Sequence, residues 1–345
     1  MKAHYQKYQL IFKRPSGTSR GVLHRKESFF IRIDKDGKTG YGEAALFRGL
    51  SADDMPDYEQ KLQWTIENIN LPETELLNQL KDYSSILFGL EQALGSLKSV
   101  KPHLLYPSPF TEGKTSIPIN GLVWMGKKTF MLQQIKDKIA QGFRVIKLKI
   151  GAIDFQDELD LLKYIRREFS PEEIEIRVDA NGAFHPKEAL EKLKHLSEYR
   201  IHSIEQPIRQ GQVEEMAQLC RETPIPIALD EELIGYAYDF DKISLLEKIR
   251  PQYIILKPAL HGGFIGTDSW IDVAEKLQIG WWITSALESN IGLNAIAQFT
   301  AKKQVEIPQG LGTGGLFVNN FESPLYIKEG ALHFQPGEEL QFPDF

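Results

Sequence analysis

A single cysteine occurs in 345 residues. One thiol forms no internal disulfide, so the fold must rest on apolar packing, and the composition fits a reducing, cytoplasmic compartment. That residue, Cys220, lies in Met216-Ala217-Gln218-Leu219-Cys220, an expected helix in which it serves as a small buried hydrophobe. No apolar run approaches the roughly 18 residues of a membrane helix, and no signal-peptide core opens the chain, so no membrane partner is expected. Neither sign of charge prevails. The net charge is −6 and the basic residues are scattered, which gives nucleic acid nothing to bind. Acid is missing from one stretch: Lys2, Lys7, Lys13, Arg14, Arg20, Arg25 and Lys26 precede the first acid, Glu27. A transit peptide has that bias, but Tyr8-Gln9-Leu10-Ile11-Phe12 reads as a strand and no amphipathic helix accompanies the charges.

What is present divides into two textures. Residues 1–45 read as antiparallel strands, with the β-rich Ser28-Phe29-Phe30-Ile31-Arg32-Ile33 and a hairpin turn at Asp36-Gly37 before Gly40-Tyr41-Gly42-Glu43. Residues 54–100 read as helices; within 83–98, Ile86, Leu87, Leu90, Ala93, Leu94 and Leu97 recur at helical spacing and predict one buried face. From residue 117 short apolar strands alternate with amphipathic helices. The strands are expected at 117–120, 145–150, 174–179, 203–205, 225–230, 253–257, 281–285 and 306–311, with helices between them such as 155–168, 186–199 and 265–277. Such alternation predicts an α/β fold with a parallel sheet covered by helices, and eight units close into a barrel of the (β/α)8 type. The tail holds strand-like Leu325-Tyr326-Ile327 and Leu332-His333-Phe334. We expect an α+β domain over 1–110, completed by 316–345, and a barrel domain over 111–315.

The ends of the strands carry the chemistry. Lys149, Asp179, Glu205, Asp230 and Lys257 close the second to sixth strands at steps of 30, 26, 25 and 27 residues, each one βα unit. In a barrel these carboxyl ends open on one face, where active sites are built. One strand-end acid alone reads as a helix cap or a solvated loop residue, and Lys-x-Lys alone as an exposed edge. Three carboxylates at one mouth repel, and a bound cation relieves them. Hard oxygen ligands without adjacent His or Cys select Mg²⁺ or Mn²⁺ over Zn²⁺. Lys147 and Lys149 project to the same side of their strand. Two neighbouring ammonium groups should lower one another's pKa, which is how a lysine becomes a base near neutral pH. The substrate, a small carboxylate, would lie between these lysines and Lys257, and loss of the proton beside its carboxylate would form an enediolate.

Lys147-Leu148-Lys149, Val178-Asp179-Ala180-Asn181-Gly182, Ile204-Glu205-Gln206-Pro207, Ala228-Leu229-Asp230-Glu231 and Leu256-Lys257-Pro258 with Gly262-Gly263 resemble the enolase superfamily, in particular its muconate-lactonising subgroup. The resemblance implies a modified (β/α)7β barrel beneath an N-terminal capping domain. It also implies Mg²⁺ on Asp179, Glu205 and Asp230, with Lys149 and Lys257 as acid/base groups. Thr284-Ser285-Ala286-Leu287-Glu288-Ser289-Asn290-Ile291-Gly292 and Gly121-Leu122-Val123-Trp124 resemble the branch that forms o-succinylbenzoate by dehydrating a cyclohexadiene carboxylate in menaquinone synthesis. In that reaction Lys149 would take the proton and return it to the leaving hydroxyl, while Lys257 steadies the enediolate.

Around this set, Asn181 is expected to support the metal site or to form a turn with Gly182, and Ser285 to donate a hydrogen bond to the substrate. Gly310-Leu311-Gly312-Thr313-Gly314-Gly315 offers bare backbone to a substrate. His261 is expected to be an ordinary loop histidine. The family's mobile substrate-closing loop falls at Gly17-Thr18-Ser19-Arg20-Gly21, where Arg20 would meet an anion; a plain hairpin loop is the other reading. Dipeptide epimerase or N-acylamino acid racemase chemistry would use the same lysine pair, although the epimerases resembled here place Asp-x-Asp where this chain has glycines. A Schiff-base aldolase leaves the three acids without a role, and a non-catalytic relative would have no need of every charge.

Overall fold

β-Branched and aromatic residues populate the opening segment, which forms three antiparallel strands, β1 (Lys2–Thr18), β2 (Gly21–Lys35) and β3 (Lys38–Ala44). The structure is a computed structural model describing residues 1–18 and 21–345; the tip of the expected substrate loop, with Arg20, lies outside the described residues. Asp36 and Gly37 take φ of 52° and 77° between β2 and β3, the left-handed pair that a two-residue hairpin requires. Helices α1 (Tyr58–Glu67), α2 (Glu73–Asn78) and α3 (Ser84–Lys98) follow. The predicted apolar face of α3 is buried throughout. It packs closely because Gly42 has no side chain: a Cβ there would stand 2.0 Å from the Gly89 carbonyl oxygen.

The second module begins with β4 (Ile117–Pro118), β5 (Gly121–Val123), α4 (Lys128–Ala140), β6 (Val145–Lys149) and α5 (Phe155–Glu168). It continues through β7 (Glu175–Asp179), α6 (Pro186–Ser197), β8 (Ser203–Glu205), α7 (Val213–Glu222) and β9 (Ile227–Leu229). Next come α8 (Asp239–Ile249), β10 (Tyr253–Leu256), α9 (Gly263–Lys276), β11 (Gly280–Ile283) and α10 (Asn290–Lys302). Strands β5 to β11 pair in chain order, all parallel. The ring closes through Gln309, bridged to Ile119, and Gly310, bridged to Thr284. The result is the capped (β/α)7β barrel.

Two expected strands differ. The segment 117–120 splits: Ile117–Pro118 pairs antiparallel with the tail, and the barrel takes Gly121–Val123 instead. Pro118 lacks the N–H that a central strand needs. The expected eighth strand, 306–311, contracts to the two bridging residues, with Pro308 again removing a donor just before them.

The tail touches both modules. Its hairpin, β12 (Leu325–Lys328) and β13 (Ala331–Phe334), pairs with β4. Phe317 bridges Phe12, Phe321 meets Phe30 edge-on at 5.1 Å, and Phe342 stacks on Tyr41 at 4.1 Å. Cys220 is buried in α7, and burial pushes its thiol up to about 12. Among the described residues no helix is long and apolar enough to cross a membrane.

Candidate active site

Parallel pairing in register lines up the strand-end charges. Lys149 is the partner of Asp179 across β6 and β7, and Asp179 is the partner of Glu205 across β7 and β8. Asp230 and Lys257 directly follow β9 and β10. All five stand at the carboxyl end of the barrel. Side chains alternate along β6, so Lys147 and Lys149 both enter the mouth while Leu148 joins the apolar core.

The ion pairs are close. Lys147 Nζ lies 3.0 Å from Asp179 Oδ2 and pairs also with Glu205 Oε2. Lys149 Nζ donates to Asp179 Oδ2 at 2.9 Å and to Asn181 Oδ1 at 2.6 Å. Lys257 Nζ is paired with Asp230 Oδ2. Burial pushes the Asp179 carboxyl upward, but Lys147 and Lys149 outweigh it and hold the group far below the usual carboxylate range. Asp230 is likewise lowered: burial opposes, and Lys257 prevails.

Lys147 departs from the expected lowering. Burial pulls Lys147 down, yet Asp179 and Glu205 more than offset it, and its pKa is raised rather than lowered. Lys257 is raised in the same way, by Asp230 against burial. At Lys147 and Lys257 the carboxylates at ion-pair distance outweigh burial.

Among the described residues no three His, Cys, Asp or Glu side chains stand gathered as a ready cation cage, because the lysines reach between the acids. The donor set nonetheless fits a hard divalent cation. Asp179, Glu205 and Asp230 are at most 3% exposed, and Glu205 Oε1 and Asp230 Oδ1 are buried without a hydrogen-bond partner.

Asn181 forms the expected turn, and its side chain reaches Lys149 and Glu231. It sits at φ 44° ahead of Gly182, its Nδ2 donates to Glu231 Oε1 at 3.0 Å, and its Oδ1 holds Lys149. Ser285 lines the pocket, but it donates its hydroxyl proton to Glu288 Oε2 at 2.5 Å and accepts from Thr313 Oγ1 and Leu287 N. A hydroxyl has one proton, so Ser285 is not the free donor expected. Gly310 is glycine because of Thr284, whose Oγ1 would lie 2.4 Å from a Cβ there, whereas Gly312 has room around it. His261 is buried and its Nδ1 accepts from Lys257 N at 2.9 Å. The sequence reading passed over Glu231, which follows Asp230 and lines the pocket, and over Phe47 and Leu50, which bring an apolar wall from the first module. The acid doublet at Asp230-Glu231 was a usable signal for the first; irregular loop residues offered none for the others.

A family model described as enolase C-terminal domain-like matches residues 131–337, which takes in every charge at the mouth. The chain belongs to the enolase superfamily. It is 48% identical to an o-succinylbenzoate synthase of Desulfotalea psychrophila, over 96% of this chain and 98% of that protein. The crystal structure of MenC from Desulfotalea psychrophila superposes with a TM-score of 0.86 at 44% identity, covering 96% of this chain and 99% of the other. A dipeptide epimerase from Enterococcus faecalis, complexed with Mg and a dipeptide, shares the fold at a TM-score of 0.81 and 18% identity, with 96% of each chain covered.

Proposed function

We infer that this chain catalyses the syn-dehydration of a succinyl-bearing hydroxycyclohexadiene carboxylate to o-succinylbenzoate, as a cytoplasmic Mg²⁺-dependent lyase of menaquinone synthesis. One observation carries the reading: Lys149 and Lys257 enter a single pocket from either end of a three-acid row, facing an eighth-strand segment, 310–315, that contains no acid. Asp179, Glu205 and Asp230 would hold the cation, which supplies positive charge opposite the substrate carboxylate as negative charge builds there. Lys149, held by Asn181 and Asp179, takes the proton beside that carboxylate and returns it to the departing hydroxyl on the same face. Lys257 remains an ammonium opposite the developing charge, a role that suits its raised pKa. A dipeptide would bring its own α-ammonium, which needs a paired acid when buried; glycines and Thr313 do not provide one.

Turnover of the cyclohexadiene should exceed that of any dipeptide by orders of magnitude in kcat/KM, should vanish under chelation, and should return with Mg²⁺ or Mn²⁺. Efficient epimerisation of Ala-Glu-type dipeptides with the cyclohexadiene untouched would overturn the substrate reading. Full activity in protein shown to be metal-free would overturn the cation.

A further inference from the structure

The first module sends two carboxyl groups that this chemistry does not use against the barrel, Glu43 buried and Glu91 half-buried. Glu43, at the end of β3, is fully buried and reaches α10. Its Oε1 accepts from Ser289 N at 3.0 Å and Ser28 Oγ at 2.7 Å, and its Oε2 from Ser289 Oγ at 2.6 Å and Gly292 N at 3.0 Å. Glu91, on α3, reaches α9 and accepts from Phe264 N at 2.6 Å and Ile265 N at 3.0 Å. Both therefore satisfy amide donors in the first turn of a barrel helix; at Glu91 these bonds and the helix dipole oppose the burial that pushes the carboxyl up to about 8. The N-cap of α9 is Gly262, which has no side chain to offer, so the acceptor comes from the other module.

Each carboxylate occupies a notch left by a glycine. A Cβ on Gly263 would lie 2.0 Å from Glu91 Oε2, and one on Gly292 would lie 2.8 Å from Glu43 Oε2. The two helices are the ones that follow the working ends of β10 and β11. Lys257 is tied to the start of α9 by Lys257 N to His261 Nδ1 at 2.9 Å and by Gly263 N to Pro258 O at 2.9 Å. Ser285 is tied to the start of α10 through Glu288, and the buried Lys26 adds its charge to Glu288 and Glu43 alike.

We infer that Glu43 and Glu91 are positioning residues: from the capping module they fix the two short loops that carry Lys257 and Ser285, the latter holding Thr313 in the pocket wall, and so make seating of the cap a condition for a competent pocket. This rests on the proposed roles of Lys257 and that wall. Neither acid touches the reacting atoms, so each should disturb the parameter its own loop controls. Displacing the Lys257 cation weakens transition-state stabilisation, and displacing the Ser285–Thr313 wall weakens ground-state fit.

The experiment uses the full chain with Mg²⁺ and the cyclohexadiene substrate. Glutamine keeps one acceptor but turns an N–H₂ toward amide donors. Corrected for folded fraction, Glu91→Gln should lower kcat about ten-fold with KM within about two-fold, and Glu43→Gln should raise KM about ten-fold with kcat within about two-fold. Wild-type constants in both variants, parallel loss of both parameters, or the opposite split would overturn the inference. Backbone hydrogen exchange reads the same contact without turnover, and so still applies if the wild type leaves the cyclohexadiene untouched and the substrate reading falls. Glu91→Gln should speed exchange at Phe264 and Ile265 and onward at Lys257, while exchange confined to the first two would overturn the coupling. Should the variant not fold, wild-type amides at Phe264 and Ile265 should exchange as slowly as the interior of α9; fast exchange there would equally overturn it.

Discussion

Lys149 Nζ keeps two partners, Asp179 Oδ2 and Asn181 Oδ1, so the nitrogen is aimed before any substrate arrives, and the proposed proton abstraction uses it as the neutral amine. Lys149→Ala should cost more than the ~10²–10⁴ of a simple acid/base group, because in the proposed reaction one residue would both remove the proton and deliver it to the leaving hydroxyl. The fold should survive, since Asp179 retains Lys147 at 3.0 Å. Single-turnover rates with the cyclohexadiene check this, and a variant within ten-fold of wild type would place the base elsewhere. The charges were legible in the sequence because each ends a strand and recurs at unit spacing. The direction of the Ser285 hydroxyl was not, since it depends on a turn that folds Glu288 back onto it. Glu43 and Glu91 were equally hidden: their partners lie 246 and 173 positions away, and no local pattern marks such a contact.

Among the elements, α3 was the most readable, its apolar stripe falling at helical period and meeting the glycines of β3. Its first turn meets a buried acid from the loop before α1, Asp53, whose Oδ2 accepts from Ser85 N at 2.8 Å and Ser85 Oγ at 2.6 Å. Burial raises this carboxyl to about 6 in spite of those bonds. Unfolded, it titrates near about 3.9. The folded state therefore binds the proton more tightly, and this contribution to stability, complete below pH ~4, is lost as pH rises through about 6. Asp53→Asn should thus match wild type in acid and gain on it between pH ~4 and ~6, by at most about 3 kcal/mol at neutral pH. Denaturant titrations at both pH values test the sign; a variant less stable at pH 7 than at pH 4, relative to wild type, would contradict it. The first and eighth barrel strands were misread for a different reason. Apolar character shows that a segment is buried, but not which sheet it joins, and only the missing donors of Pro118 and Pro308 hinted at the answer.

Across the whole molecule, the cap and barrel share buried side chains at several places. Phe30, Ile291, Phe321 and Leu340 form one cluster drawn from both modules and the tail, beside the Glu43 and Glu91 contacts. Such an interface leaves little for either module to retain once the other opens. Far-UV circular dichroism and the fluorescence of the barrel tryptophans, read in a Trp64→Phe variant that silences the cap, should melt at one midpoint. Two separated midpoints would show that the modules unfold independently. The alternation of strand and helix made the barrel legible, whereas the route of the tail was not, because short aromatic segments fit either module.

Among the described residues, two alone join the ring. Every strand that ends in a charge at the mouth is paired on both sides, but Gln309 and Gly310 hold the join with four backbone hydrogen bonds, to Pro118, Asn120, Ile283 and Ser285. Gly312 and Thr313, which line the pocket, come directly after it. A lineage carrying this sequence therefore keeps its reaction and its choice of substrate in separately mutable places. Change at the join would alter what the pocket admits while the proton chemistry is inherited intact.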